Sequence, residues 1–340
     1  MIELIPAQAD VAVLLPTVTD WERTKVRYGG LAEELISRGV TVVFAESHDS
    51  YQGEGVFRDT LRPIDPRLGS IAAFVGEKSV KPKVLRDLTM PTGPKPLYTD
   101  ESGPVLVHHP TINELLISKS GVYDLMREMQ PFSISHVKNE DIEEAVASMP
   151  GRKVVIKPDT GMAGQGVIIG SKSEAVAAYI AEPHKGLSIV QDAVDMSSGL
   201  EEHKVKGVHN VRFIAIGGTA VFGFVRNDES GSMTMQGETF EHRNFLLPED
   251  FQDGLLSVLS SSQKQFATLP HSAETIVAFD LMRGVDYTGE SREFLLEVNR
   301  RPLRNSPYDG SSTNTLWASQ EWDKAEAALL ARVVKSVPNR

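Results

Sequence analysis

The sequence predicts an α/β protein: an N-terminal parallel-sheet domain followed by an α+β region. Three observations carry that expectation. The chain opens as strand–helix–strand, a glycine loop lies between two β-branched runs, and a late hairpin carries acids inside otherwise apolar strands.

Val11-Ala-Val-Leu-Leu15 is a continuous apolar run ending at Pro16, the pattern of a strand buried on both faces. Leu31-Ala-Glu-Glu-Leu-Ile36 has helical spacing, Gly39 supplies a C-cap, and Val40 to Ala45 is a second buried strand. Ligand-facing loops of a parallel sheet follow the strand C-termini, so Thr17 to Tyr28 is expected as the first such loop. The proline-rich stretch from Leu88 to Pro104 cannot be a helix interior or a central strand and marks the edge of the first domain. Thr111-Ile-Asn-Glu114 fits a capping box that starts a short helix, Ser120 is the expected cap of a second, and Lys119 stands between them. At the C-terminus Trp322, Ala325, Leu329 and Val333 recur at helical spacing and give a helix one apolar face.

Composition removes several chemistries. The 340 residues contain no Cys, so thiol nucleophiles, thiolate zinc sites, disulfides and iron–sulfur clusters are excluded. With 35 Lys+Arg against 46 Asp+Glu the net charge is −11, which disfavours nucleic acid and anionic membranes as partners. Met1 to Pro16 lacks a basic n-region, and no stretch approaches the roughly 20 apolar residues that cross a bilayer. A cytoplasmic protein is the default expectation.

Lys153-Val-Val-Ile-Lys157-Pro158 reads as a strand, followed by Gly161-Met162-Ala163-Gly164-Gln165-Gly166 and the β-branched run Val167 to Ile169. P-loops and dinucleotide fingerprints lead from the glycines into a helix, whereas this loop lies between strands. Such a loop makes a flap whose backbone N–H groups can cover a polyphosphate, with Lys157 at its entry. Further on, Thr275 to Met282 and Arg292 to Asn299 read as two strands of a hairpin. Period-2 geometry puts Glu297 and Asn299 on one face, and a turn near Thr288 and Gly289 puts Asp280 opposite Glu297. Adjacent carboxylates repel unless a cation relieves them, and oxygen ligands of this kind suit Mg²⁺. His108, His109, His203, His209 and His242 lack zinc-site spacing and read as ordinary histidines. Arg300, Arg301 and Arg304 cluster after the hairpin; Arg301 either clamps a substrate carboxylate or pairs with the chain's excess acids.

In this order, Lys119, Val155-Ile-Lys157-Pro with the glycine loop, Ile189-Val-Gln191-Asp192-Ala193-Val194, Val211-Arg212-Phe-Ile, Asp280 and Glu297-Val-Asn299-Arg-Arg-Pro302 resemble the ATP-grasp fold. The likeness spans Thr111 to Pro307 and lies nearest the glutathione-synthetase-like, glutamate-ligating branch. It implies a pre-ATP-grasp domain, residues 1–110, before two α+β lobes, 111–190 and 191–340, that clamp ATP, with Lys119 and Lys157 on the phosphates beneath a flap of residues 161–166. It also implies that Gln191 to Val194 hold adenine, that Asp195 or Glu201 binds the ribose, and that Asp280, Glu297 and Asn299 hold two Mg²⁺ ions, or Mn²⁺ in their place. Arg212 and Arg226 would neutralise the transferring phosphoryl group. The segment from Gly237 to Asn244 looks like the family's loop beside the acyl phosphate, but Arg243 stands one residue before Asn244 instead of two, and Phe245-Leu-Leu replaces the usual glycine pair. The implied activity is ATP-dependent ligation of a small carboxylic acid to an amine, forming an amide through an acyl phosphate. Modification of a peptide or protein, or a non-catalytic ATP-binding regulator, are the alternatives; dimers are common in the superfamily.

Overall fold

The computed structural model describes residues 7–15, 21–46, 50–53, 56–63, 74–88, 103–161, 164–227, 241–300 and 313–338. The chain divides into two compact units, one of Met1–Pro110, Glu274–Ile276 and Leu303–Arg340, the other of Thr111–Ala273 and Val277–Pro302.

In the first unit β1 (Ala7–Leu15), α1 (Trp21–Ser37) and β2 (Val42–Glu46) form the opening, with β1 and β2 parallel and Val11 opposite Val42. Helix α1 ends at Gly39, whose φ of +73° lets the Val40 amide reach the Leu35 carbonyl at 3.0 Å. The helix begins at Trp21, so Trp21 to Tyr28 is helical where a loop was expected, and residues 17–20 lie outside the described residues. Apolar periodicity starts only at Leu31, but nothing between Glu22 and Arg27 opposes a helix. Strands β3 (Tyr51–Gly53), β4 (Val56–Pro63), β5 (Phe74–Asp87) and β6 (Val105–Val107) complete a sheet of order β3-β4-β2-β1-β5-β6. Strand β4 runs antiparallel to β2, β3 and β5, so the sheet is mixed where the sequence predicts a parallel one. The C-terminal helix, Thr313–Ser336, packs on α1 and β5 through a stripe that includes Trp322, Leu329 and Val333. It therefore belongs to the first unit, although sequence order groups it with residues 191–340.

The second unit starts with α2 (Pro110–Ile117) and α3 (Lys119–Met126). Pro110 occupies the first helical position, which needs no N–H donor, so Thr111 lies within the helix instead of capping it. Ser118 caps α3, its Oγ accepting from the Gly121 amide at 2.9 Å; Ser120, the expected cap, is buried at the second helical position. Lys119 is thus the first residue of α3. Strands β7 (Ser133–Val137), β8 (Lys153–Pro158), β9 (Ile168–Ser171) and β10 (Ser188–Asp192) form an antiparallel sheet of order β7-β10-β8-β9. Helices α4 (Ile142–Ser148) and α5 (Lys172–Ala181) cover one face, where Val154, Ile156 and Val190 are buried with Val146 and Tyr179. Alternation along β8 turns Lys157 to the opposite face.

A second sheet contains β11 (His209–Ile216), β12 (Thr219–Asn227), β13 (Glu241–Leu246), β14 (Ile276–Val285) and β15 (Ser291–Arg300), in the order β13-β12-β11-β14-β15. Phe213, Phe279, Leu295 and Val298 on one face pack against α6 (Asp253–Phe266). The alternate residues on the other face include Arg212, Arg226, Asp280, Glu297 and Asn299. Asp280 pairs with Glu297 and Ala278 with Asn299, and a bulge follows because Leu281 pairs with Leu295. The extra residue returns both leucines to the core while the acids stay on the open face.

Candidate active site

Asp280 is fully buried at 0% exposure and is saturated by donors. Arg212 grips it twice, Nε to Oδ1 at 2.6 Å and Nη2 to Oδ2 at 2.5 Å, and Arg226 Nη2 reaches Oδ2 at 2.9 Å. Asn299 Nδ2 donates to Asp280 Oδ2 at 2.8 Å and to Glu297 Oε1 at 2.7 Å. Burial alone raises the Asp280 carboxyl pKa, but the two guanidiniums outweigh it and hold the group at about 2. Burial pulls Arg212 down and Asp280 more than restores it, whereas for Arg226, which shares the same carboxylate, burial prevails and its pKa is lowered.

The two lysines arrive from separate elements. Lys119, at the start of α3, donates from Nζ to the Gly161 carbonyl at 3.1 Å. Burial lowers its pKa while the carboxylates of Glu297 and Asp159 oppose that shift. Lys157, from β8, donates to Gln191 Oε1 at 2.7 Å, and burial drives its ammonium down to about 8 against the attraction of Glu297, with Lys119 adding repulsion. Both ammonium groups therefore share the field of one carboxylate, that of Glu297. Lys119, Lys157, Arg212 and Arg226 surround Asp280 and Glu297, an excess of positive charge in an acidic chain. Such an arrangement attracts a polyanion.

The glycine loop borders the same lysine. Gly164 and Gly166 have φ of +70° and +71°, which glycine adopts without strain, and the Val167 amide closes the turn on the Gly164 carbonyl at 3.2 Å. Gln165 is exposed between them, while Met162 and Ala163 lie outside the described residues. On β10 the Gln191 side chain faces Lys157, and its amide donates to Ser133 Oγ at 3.0 Å. Asp192 is buried, accepts from the Gly151 amide at 3.0 Å, and has its pKa raised by burial. Ala193 donates its backbone N–H to the Lys153 carbonyl at 3.1 Å, and Val194 packs with Met196, Met282 and Phe294 in a small apolar cluster. Asp195 is exposed and accepts from the Ser197 amide at 2.9 Å; Glu201 is exposed in a short helical turn.

Some expected residues are not brought into view. Arg243 and Asn244 lie on edge strand β13, where Arg243 pairs with Val225, but their side chains are outside the described residues, as is Arg301. Sequence reasoning also missed two participants. Ser133 anchors Gln191, and buried Asn210, opposite Arg226 across β11 and β12, has an Oδ1 with no hydrogen-bond partner among the described residues. Neither stands in a motif; sheet register alone reveals them.

Among the described residues no group of three His, Asp or Glu forms a ready-made metal centre. The donor set nevertheless fits Mg²⁺, which takes few protein oxygens and keeps water and phosphate in its remaining positions. Glu297 accepts from Asn299, and Asn299, with its nitrogen turned to the carboxylates, has a carbonyl oxygen with no hydrogen-bond partner among the described residues. Asp280 differs from the expected pattern, because guanidinium and amide donors already occupy both its oxygens.

No protein-family model matches the chain, and no curated protein sequence matches it. Solved structures do. D-cycloserine synthetase DcsG superposes with a TM-score of 0.55 at 15% identity, covering 95% of this chain and 99% of its own. VanG D-Ala:D-Ser ligase from Enterococcus faecalis gives 0.55 at 13%, covering 96% and 100%, and a RimK domain ATP-grasp protein from Sphaerobacter thermophilus gives 0.53 at 14%, covering 94% and 99%. A likeness that spans nearly the whole of each chain at so low an identity is one of fold, and the fold of this chain is that of the ATP-grasp proteins.

Proposed function

We propose that the chain is an ATP-dependent, ADP-forming carboxylate–amine ligase acting on an amino acid or another small acid. The observation that carries this reading is the meeting of Lys119 and Lys157 with Glu297, beside Asn299 and the Arg212–Asp280–Arg226 cluster. In it the lysines bind the β- and γ-phosphates, and the amides of the Gly161 to Gly166 loop cover them. Glu297 and Asn299 would hold Mg²⁺ or Mn²⁺, and Asp280, the third expected ligand, would join them on releasing one of the donors that occupy its oxygens. The metal supplies charge neutralisation across the phosphates when bound. Arg212 and Arg226, oriented by Asp280, neutralise the phosphoryl group as it moves. Gln191 to Val194 take the adenine, and Asp195 or Glu201 takes the ribose.

The substrate carboxylate accepts the terminal phosphoryl group as ADP leaves, and the amine then displaces phosphate from the acyl phosphate. Positioning and electrostatics are sufficient, so no nucleophilic side chain is required and the absence of cysteine is no obstacle. The loop excludes water that would hydrolyse the acyl phosphate. Arg243, Asn244 and Arg301 are assigned to the acyl and acceptor end. Small substrates accord with D-Ala:D-Ser ligase and D-cycloserine synthetase among the similar structures. A second reading, ligation on a larger precursor, is favoured by one observation: the ATP-grasp ligase PsnB, solved with a minimal precursor, superposes almost as well, at a TM-score of 0.52. We place the protein in the cytoplasm, where ATP is supplied, without nucleic acid or membrane as partner.

The deciding assay follows phosphate release with ATP, Mg²⁺ and a panel of amino acids and short peptides. Release that depends on an acceptor supports ligation, and the effective acceptors separate the two readings. Tight ATP binding with no turnover across the panel indicates a regulatory protein instead. Glu297→Gln is expected to lower turnover by about 10²–10³-fold, the scale of one lost electrostatic contact to the transition state, while the melting temperature stays near that of the wild type.

A further inference from the structure

We infer that His184 is a positioning residue for the glycine loop, fixing Gly166 and through it the backbone donors of the loop. This rests on the phosphate-binding role proposed above. His184 lies between α5 and β10 and is buried, at 9% exposure. Its Nε2 is 2.6 Å from the Gly166 carbonyl oxygen and its Nδ1 is 2.7 Å from Ser188 Oγ. A carbonyl only accepts, so the proton is on Nε2, and Nδ1 accepts from the Ser188 hydroxyl. One neutral tautomer satisfies both contacts. Burial lowers the imidazole pKa and favours that form, with Lys119 acting in the same direction and the Gly166 carbonyl and Glu182 opposing.

The ring is itself held. Tyr179 meets it edge-on with centroids 4.9 Å apart, the Tyr179 hydroxyl donates to Asn139 Oδ1 at 2.6 Å, and Asn139 Nδ2 donates to the His184 carbonyl at 3.2 Å. Side chain and backbone of His184 are thus tied to the sheet and its helices, and the loop is tied to His184. The approach is close: a Cβ on Gly166 would lie 2.9 Å from Pro158 Cγ and 3.5 Å from His184 Nε2. Lys119 donates to the other end of the loop at Gly161, a contact that shares its ammonium with the proposed phosphates. His184 carries no charge for the phosphates, so its hold on the loop persists in the bound state.

The test uses the full chain as wild type, His184→Gln, His184→Asn and His184→Phe. A glutamine amide reaches the position of Nε2 and keeps the bond to Gly166; an asparagine amide reaches only the position of Nδ1; phenylalanine keeps the ring and loses both. Amide exchange of peptides spanning 159–171 and the dissociation constant of a non-hydrolysable ATP analogue with Mg²⁺ are measured for each. His184→Asn and His184→Phe are expected to weaken nucleotide binding about tenfold, the scale of one hydrogen bond, and to accelerate loop exchange, while His184→Gln stays within about twofold. Equal behaviour of the Asn and Gln variants in both readouts overturns the inference, and that pair decides it even if the Phe variant does not fold. If wild type binds no nucleotide, the proposed function fails on its own; loop exchange in the nucleotide-free Asn and Gln variants still decides whether His184 fixes Gly166.

Discussion

Lys157 is charged at neutral pH against the preference of its surroundings. Burial brings its pKa to about 8, with Glu297 as the opposing carboxylate and Gln191 as a neutral acceptor. The folded value lies below the unfolded one, so the charged form costs the fold stability; that cost is fully present below about pH 8 and is relieved as pH rises toward the unfolded value of about 10.4. A bound polyphosphate reverses the preference and raises the pKa again. Binding of the Mg²⁺–nucleotide at pH 8.5 is therefore expected to take up a fraction of one proton, and the affinity should fall as pH climbs past 8. Calorimetric titration in two buffers of different ionisation enthalpy measures the uptake, which Lys157→Met should abolish; no uptake in wild type removes Lys157 from the phosphates. The sequence exposed Lys157 through its place before a glycine loop, and Glu297 through its place in an apolar run. It could not expose Gln191 as the partner of Lys157, because that contact depends on register: Gln191 pairs with Val155 and so reaches Lys157 diagonally.

Strand β12 shows how an element serves the site from its far side. Gly223 faces Phe213 across the ladder, and its missing side chain makes room for the Phe213 and Phe251 rings, whose centroids are 4.7 Å apart. A Cβ there would lie 2.8 Å from atoms of both rings, and both rings are buried. Gly223→Ala is expected to destabilise by about 1–3 kcal/mol through overpacking and, because Arg226 follows three residues later, to lower turnover as well. Urea unfolding reads the first effect and phosphate release at low temperature the second; unaltered stability shows that the rings have room to move. The acid hairpin was legible at this scale because an Asp286-to-Gly289 turn fixes which residues face one another, Gly289 having a φ of +88°. The bulge after Asp280 was not legible, since one extra residue in a strand leaves composition and alternation almost unchanged. Helix starts shifted by one or two residues: Pro110 takes the first helical position ahead of Thr111, and Ser118, two residues before Ser120, makes the capping bond to the Gly121 amide.

The whole molecule depends on a chain that leaves its first unit and returns to it. The apolar stripe of the last helix announced a helix with a partner, but no periodicity states which unit it will cover; that is fixed by residues some 240 positions apart. Arg86 Nε meets Glu326 Oε1 at 2.7 Å with the side chains 2% and 4% exposed, Trp322 Nε1 donates to Glu326 Oε2 at 2.6 Å, and Arg86 Nη1 is buried with no hydrogen-bond partner among the described residues. A pair so enclosed is costly to break and not costly to replace. Glu326→Leu alone strands the guanidinium and is expected to destabilise the first unit by about 3–5 kcal/mol, whereas Arg86→Met with Glu326→Leu should recover most of the loss. Because the two units need not unfold together, the measurement is amide exchange of peptides from β5 and the last helix, with peptides of the acid hairpin as the internal reference. Loss confined to the first unit, with nucleotide affinity retained, is expected because every phosphate-binding residue assigned here lies in the second. A double variant as damaged as the single would mean that the ion pair specifies where the helix docks, a role that apolar packing cannot fill.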